Sequence, residues 1–238
     1  MLQLLNNEPP AAAKVEASVA LLRHALASYG RVVYASSLGA EAVVLTDLIC
    51  RQVPGIDIIS IDTGRLPEET LSLIERLERR YERRIPLYYP EPQAIERFVR
   101  AHGINGFYNS LDERLSCCQI RKLEPFRRAV AGYGAWVTGV RREQSELRAT
   151  GQPIVRDEQT GLDKISPLLE WTWSEIWGYI RAQQLPYNPL HERGYTSIGC
   201  APCTRGVAAG EDHRAGRWWW ERAQSRECGL QPRPAAVG

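Results

Sequence analysis

The sequence predicts an α/β domain built on a mostly parallel sheet, and three features carry that prediction. Short apolar strand patterns alternate four times with helix patterns at crossover-length spacing, as in strand–helix–strand units. Small-residue or glycine loops follow the strands at Ser36–Glu41, Asp62–Gly64 and Gly139–Ser145, on the edge where such sheets bind ligands. Past Pro186 the periodicity stops and a loop-rich stretch takes over, with Gly194, Gly199, Gly206, Gly210, Gly216 and the tryptophans Trp218–Trp220.

In chain order, residues 11–29 carry Val15, Val19, Leu22 and Leu26 on one helical face. Arg31–Ala35 reads as a buried strand. The loop Ser36-Ser37-Leu38-Gly39-Ala40-Glu41 opens a helix over about 41–50 that buries Val44, Leu45, Leu48 and Ile49. Asp57–Ile61 is a second strand. Pro67 suits a helix start, and the helix it begins runs to about Arg84 with Leu71, Ile74, Leu77 and Tyr81 as its stripe. Its other face mixes both charge signs, which marks a solvated surface rather than a nucleic-acid patch. Ile85–Tyr89 is a third strand, Gln93–His102 a helix, Ala135–Thr138 a fourth strand and Lys164–Ser166 a short fifth. Trp173, Ile176, Trp177 and Ile180 repeat at i, i+3, i+4, i+7, which makes 172–183 an amphipathic helix.

Composition bounds the function. The chain has 238 residues, 44% hydrophobic and 24% charged, and its 30 basic and 28 acidic side chains leave a net charge of +2. That suits a folded domain with a local basic pocket, and not a broad surface for duplex nucleic acid. The longest stretch free of charged residues, Ala129–Val140, is shorter than the roughly 20 apolar residues a membrane span needs. The first residues show no secretory pattern, so the expected compartment is the cytoplasm, where thiols stay reduced. The sequence does not set the oligomeric state, and a homo-oligomer is compatible with it.

Six cysteines are present. Cys50 falls in an apolar helix pattern and reads as a buried small hydrophobe. Cys200-Ala201-Pro202-Cys203 has metal-ligand spacing, and Cys117-Cys118 is a vicinal pair read at a helix start. Together they offer four thiols from two distant segments. A zinc site takes paired thiolates from knuckles spaced by two to four residues, which adjacent cysteines match poorly, whereas a cuboidal iron–sulfur cluster tolerates less regular spacing. Zinc and a redox dithiol remain as alternatives on spacing alone. Cys228, in Arg226-Glu227-Cys228-Gly229-Leu230, is either an incidental thiol or a nucleophile favoured as thiolate by nearby arginines.

Taken together, Ser36–Glu41, Asp62-Thr63-Gly64-Arg65, Cys117-Cys118 with Arg121-Lys122, Gly139–Arg142, Cys200–Cys203, Gly216–Glu221 and Glu227–Leu230 resemble the assimilatory adenylyl-sulfate (APS) reductases. These are cluster-bearing relatives of the phosphoadenylyl-sulfate (PAPS) reductases. The resemblance spans roughly residues 30–231, and the two cysteine pairs with the Glu-Cys-Gly-Leu tail are its most specific part. It implies a PP-loop fold of the adenine nucleotide α-hydrolase type as one reductase domain over 1–238, with a C-terminal region from about 186 carrying the CxxC and the catalytic tail. It implies a [4Fe–4S] cluster on Cys117, Cys118, Cys200 and Cys203, a nucleophile at Cys228, and thioredoxin as electron donor.

The residues agree with that chemistry. Backbone N–H groups of the small-residue loop that opens a helix after the first strand can face an anion, which nominates Ser36, Ser37 and Gly39; the resemblance adds Asp62, Thr63 and Gly64, on the next loop of the same edge. Adenylyl sulfate joins a phosphate to a sulfate, so several cations must converge, and the resemblance implies Lys122, Arg141, Arg142, Arg214 and Arg217 as the candidates. Lys122 leads, one helical turn beyond Cys118. The implied reaction is attack by the Cys228 thiolate at sulfur, departure of AMP, and release of sulfite from the S-sulfocysteine by thioredoxin. A Gly-flanked tail suits closure for the first step and opening for the second. One departure is Gln231, where the family usually has His; Gln keeps a hydrogen bond but carries no positive charge. The rivals are a PAPS or dual-specificity reductase, another PP-loop sulfur-transfer enzyme, and a zinc-binding interaction module.

Overall fold

A computed structural model describes residues 9–145 and 148–221. The chain forms α1 (Ala12–Tyr29), β1 (Val32–Ser36), α2 (Ala40–Gln52), β2 (Asp57–Ile61), α3 (Glu68–Tyr81), β3 (Leu87–Tyr88) and α4 (Pro92–His102). Next comes α5 (Leu111–Cys118), which passes through a π-helical turn (Gln119–Leu123) into α6 (Glu124–Val130). β4 (Ala135–Val137), the hairpin β5 (Ile154–Asp157) and β6 (Leu162–Ile165), and α7 (Trp173–Ala182) follow. Beyond α7 the described residues form short 3₁₀ turns, loops and one isolated antiparallel bridge, Thr204 to Arg217.

The sheet order is β3-β2-β1-β4-β6-β5. All its pairings are parallel except the β5–β6 hairpin. The α/β class with a mostly parallel sheet is therefore as expected. β1 lies between β2 and β4, so the chain winds outward to β3 and then restarts on the other side of β1. That reversal opens a crevice beyond the carboxyl ends of β1 and β4.

Both faces of the sheet are covered, which is why the strands read as near-continuous apolar runs. Alternate residues divide between the two faces. Val32, Tyr34, Ile58, Ala135 and Val137 join a large core with α1, α2 and α7. Val33, Ile59 and Trp136 pack on Phe126, Ala129 and Val130 of α6. Thr172 and Glu175 form a reciprocal cap at the start of α7, with N–H···O distances of 3.2 and 2.8 Å. Among the described residues, no helix is long and apolar enough to cross a membrane.

Three elements differ from the sequence reading. β3 pairs only through Leu87 and Tyr88, because Pro86 and Pro90 on either side lack the N–H a longer ladder needs. β5 has no counterpart in that reading; with three half-buried residues and an exposed Arg156, it carries too little periodicity. Cys117 and Cys118 sit at the end of α5, not at a helix start. Ser110 caps that helix by accepting from the Glu113 N–H at 3.2 Å, and the Ser-x-x-Glu spacing was visible in the sequence.

Candidate active site

The crevice is lined on one side by Ser36, Ser37, Leu38 and Gly39 after β1, and by Thr138, Gly139 and Val140 after β4. The loop after β1 is pinned from below: Ser60 Oγ donates to the Ser36 carbonyl at 2.9 Å. Leu38 is buried in the left-handed region at φ 59°, a conformation that costs on the order of 1 kcal/mol for a branched residue. The turn it makes delivers the chain into α2, whose first residues, Gly39–Glu41, open on the cavity. The Glu41 carboxylate accepts its own backbone N–H at this end, and the helix dipole favours an anion or an electron-rich group there. Gly139 lets the loop after β4 pass close to α2; a Cβ there would stand 3.1 Å from Glu41 Cβ.

Arg141, expected among the substrate cations, is committed elsewhere. It is 1% exposed. Its Nε donates to Glu41 at 2.9 Å, and its NH1 donates to Glu143 at 2.6 Å and to the Trp171 carbonyl at 3.2 Å. Gln144 adds a donor to Glu41 at 2.9 Å. Burial opposes the Glu41 charge, yet Arg141 and His213 outweigh it and hold its carboxyl below the ordinary range. Arg142 also turns away: it pairs with Glu170 at 2.7 Å and donates to the carbonyls of Ala149 and Gly151. Neither arginine lines the cavity, because a polar loop beside α2 needs internal partners for its carboxylates and carbonyls.

Asp62 and Gly64 are likewise outside the lining. Asp62 accepts from the Gly64 N–H at 2.8 Å, and Gly64 takes φ 69°. They shape the turn that presents Thr63, whose hydroxyl stands 3.2 Å from Cys200 Sγ.

The opposite wall is made by the four expected cysteines. Cys117 and Cys118 from the end of α5 meet Cys200 and Cys203 in an apolar nest with Phe107, Trp218 and Trp220. Burial pushes the Cys203 thiol well up, and the neighbouring Cys200, Cys118 and Cys117 push it further. Burial also raises Cys117, against the pull of Arg121. No three described His, Cys, Asp or Glu side chains converge so as to hold one metal ion. Cys50, by contrast, packs on α2 against the main core, half-buried where its helix pattern implied full burial.

Between the two walls stand cations. Lys122, Arg214 and Arg217 all line the cavity. Lys122 is half-buried and forms no ion pair with any described residue. Arg217 is 9% exposed and lies across Gly199, where a Cβ would come within 2.3 Å of its guanidinium. Its guanidinium carbon is 4.5 Å from the centre of the Trp218 ring. The π-helical turn after Cys118 brings Arg121 and Lys122 to the cavity together, and Arg121 donates to the Thr63 carbonyl at 2.8 Å.

Several lining residues had not been nominated: Arg65, Arg114, Arg121, Arg148, His191 and His213. Arg121 was legible, one turn beyond Cys117. The two histidines were not, since each arrives from a loop without periodicity. His191 Nδ1 donates to the Tyr195 carbonyl at 2.6 Å, which places a proton on that nitrogen, and burial lowers the pKa of the ring. Cys228 and Gln231 lie outside the described residues.

The model of the phosphoadenosine phosphosulfate reductase domain matches residues 31–206. An adenosine 5'-phosphosulfate reductase of Allochromatium vinosum is 52% identical over 92% of this chain and 86% of that protein. The crystal structure of a phosphoadenylyl-sulfate reductase from Candida auris in a phosphate complex superposes with a TM-score of 0.68. It is 26% identical and covers 83% of this chain and 98% of that one. An FMN adenylyltransferase of Candida glabrata shares the fold alone, with a TM-score of 0.57 at 17% identity over 94% of this chain and 78% of that one.

Proposed function

We propose that this chain, which belongs to the phosphoadenosine phosphosulfate reductase domain family, reduces adenylyl sulfate to sulfite and AMP in sulfate assimilation. The observation that carries this reading is the single crevice at the sheet's switch point. A helix-opening loop forms one wall, four cysteines form the other, and Lys122, Arg214 and Arg217 stand between them. The 52% identity to an adenosine 5'-phosphosulfate reductase favours adenylyl sulfate over its 3′-phosphorylated analogue.

In this reading the nucleotide lies along Ser36–Gly39 and Thr138–Val140, and the phosphosulfate extends toward the cations. Their charge offsets the negative charge that accumulates on departing AMP. The Cys228 thiolate attacks the sulfuryl sulfur. An S–S bond forms, the S–O bond to phosphate breaks, and AMP leaves with the electron pair. A thioredoxin thiolate then attacks Cys228 Sγ and sulfite departs with its electron pair. The second thioredoxin thiol resolves the mixed disulfide, so thioredoxin is oxidised and Cys228 is restored. Cys228 follows Glu221 by seven residues, a stretch of at most about 25 Å, and Glu221 pairs with the cavity residue Arg114.

Cys117, Cys118, Cys200 and Cys203 would hold a [4Fe–4S] cluster. Cys117, Cys118 and Cys200 pack around the buried Cys203 in an apolar nest, and four thiols from two segments are the donor set such a cluster takes. When bound, the cluster supplies structural cross-linking and an electrostatic field at the phosphosulfate end. The deciding experiment is sulfite release from adenylyl sulfate and from its 3′-phosphorylated analogue with reduced thioredoxin present. Turnover of the first with little of the second is expected; turnover of neither refutes the reading.

A further inference from the structure

His213 lines the same cavity and takes no part in the chemistry described so far. It is half-buried, and its ring forms no hydrogen bond with any described residue. Neither ring nitrogen is sealed off, in contrast to His191 Nε2, which is buried without a partner among the described residues. Packing fixes the ring: its centre lies 4.5 Å from that of Trp173, edge to face at 74°. Its backbone is fixed as well. The His213 carbonyl accepts from Thr196 Oγ1 at 2.5 Å, Asp212 accepts from the Arg214 N–H at 2.8 Å, and the Arg217 N–H donates to the Arg214 carbonyl at 2.9 Å. One short turn thus presents His213, Arg214 and Arg217 to a single cavity.

We propose that His213 acts with Arg214 and Arg217 on the phosphate: its ring donates an N–H to the phosphate of bound adenylyl sulfate and, after S–O cleavage, to departing AMP. The inference rests on the reaction proposed above. The ring is built to change charge as the ligand arrives. Burial opposes the imidazolium most, and Arg141 after β4 and Arg214 on the same turn add to it. Glu41 at the start of α2 and Asp212 favour the imidazolium, and His191 on the 3₁₀ turn after α7 also faces the ring. The balance holds His213 below the ordinary histidine value, so most of it is neutral at pH 7 without ligand. A phosphate beside Arg214 offsets that arginine and adds negative charge, which reverses the balance. His213 takes its proton from solvent on binding, makes a charge-assisted hydrogen bond, and gives the proton back to solvent when AMP leaves.

The test reads His213 directly in the cluster-loaded full chain. With four histidines in the chain, the ring C–H signal of His213 is assigned in a proton–carbon NMR spectrum by its loss in His213→Asn. Saturating AMP should move the midpoint of its titration upward by about one pH unit or more, and adenosine, which has no phosphate, should leave it in place. His213→Asn should bind AMP up to about tenfold more weakly than the wild type at pH 6, and the two should converge by about pH 9, where the wild-type ring no longer takes up a proton. Iron content and melting temperature should match the wild type. A midpoint that AMP does not move overturns the proposal, and so does a folded His213→Asn protein with wild-type affinity for AMP at pH 6. If His213→Asn does not fold, the His24→Gln, His102→Gln and His191→Gln spectra assign the signal by elimination, and the AMP and adenosine titrations decide. A His213 that responds to AMP in a protein that releases no sulfite keeps the phosphate contact and refutes the reaction. Sulfite release with an unresponsive His213 refutes the contact and keeps the reaction.

Discussion

Replacing Arg141 by Met tests whether this arginine builds the site or touches the substrate. Its guanidinium is 1% exposed and closes on Glu41 at 2.9 Å and Glu143 at 2.6 Å, with the Trp171 carbonyl at 3.2 Å. Removing one partner of such a buried pair leaves the other charge uncompensated and costs about 3–5 kcal/mol. In a chain of this size each kcal/mol lowers the midpoint by about 2–4 °C, so Tm should fall by about 6–20 °C. The loss should also depend on pH. The Glu41 carboxyl is held below its ordinary value in the folded protein, so its contribution is present above the unfolded pKa of about 4.3 and disappears as pH falls through the lowered value. The gap between wild type and Arg141→Met should accordingly be widest at about pH 7 and shrink below about pH 4. The assay is thermal unfolding followed by circular dichroism across that range, alongside KM for adenylyl sulfate at a temperature where both proteins are folded. KM should rise by less than about tenfold, through the shifted α2 loop. An unchanged Tm together with a hundredfold rise in KM would falsify this assignment and return Arg141 to the substrate.

Gly199→Ala should lower kcat/KM by about tenfold or more with the fold intact, because the new methyl must displace the Arg217 guanidinium; steady-state kinetics beside a melting curve decide it. Anaerobically purified protein should be brown with about four irons per chain, and Ser at any one of Cys117, Cys118, Cys200 or Cys203 should remove iron and activity together while Cys50→Ser keeps both. A colourless protein with one tightly bound zinc, measured by metal analysis, would refute the cluster. Lys122→Ala should cut turnover about a hundredfold at full iron content, since a half-buried cation in the cavity without an ion pair among the described residues has its charge available to the substrate; an unchanged rate would make it a bystander.

Much of the site was legible because its chemistry is local in the chain. Ser36, Ser37 and Gly39 follow directly from a strand ending in a small-residue loop, and parallel pairing puts every such loop on one edge. The cysteine pairs and Lys122 were legible by residue type and spacing. Local pattern also placed α1, α2, β2 and α7 within a few residues, since an amphipathic stripe or an apolar run carries its own period.

Only the tertiary structure decided which charges face the cavity. Arg141, Arg142, Arg214 and Arg217 look alike in the sequence; two are consumed by Glu41, Glu143 and Glu170, and two line the crevice. An arginine's role depends on the carboxylates that long-range folding brings to it, and these are not its sequence neighbours: Glu41 lies a hundred positions from Arg141. The same holds for Arg114 and Glu221, separated by 107 positions and joined by two hydrogen bonds. Periodicity reports which face of an element is apolar; the pairing of two distant charges is a property of the packed whole.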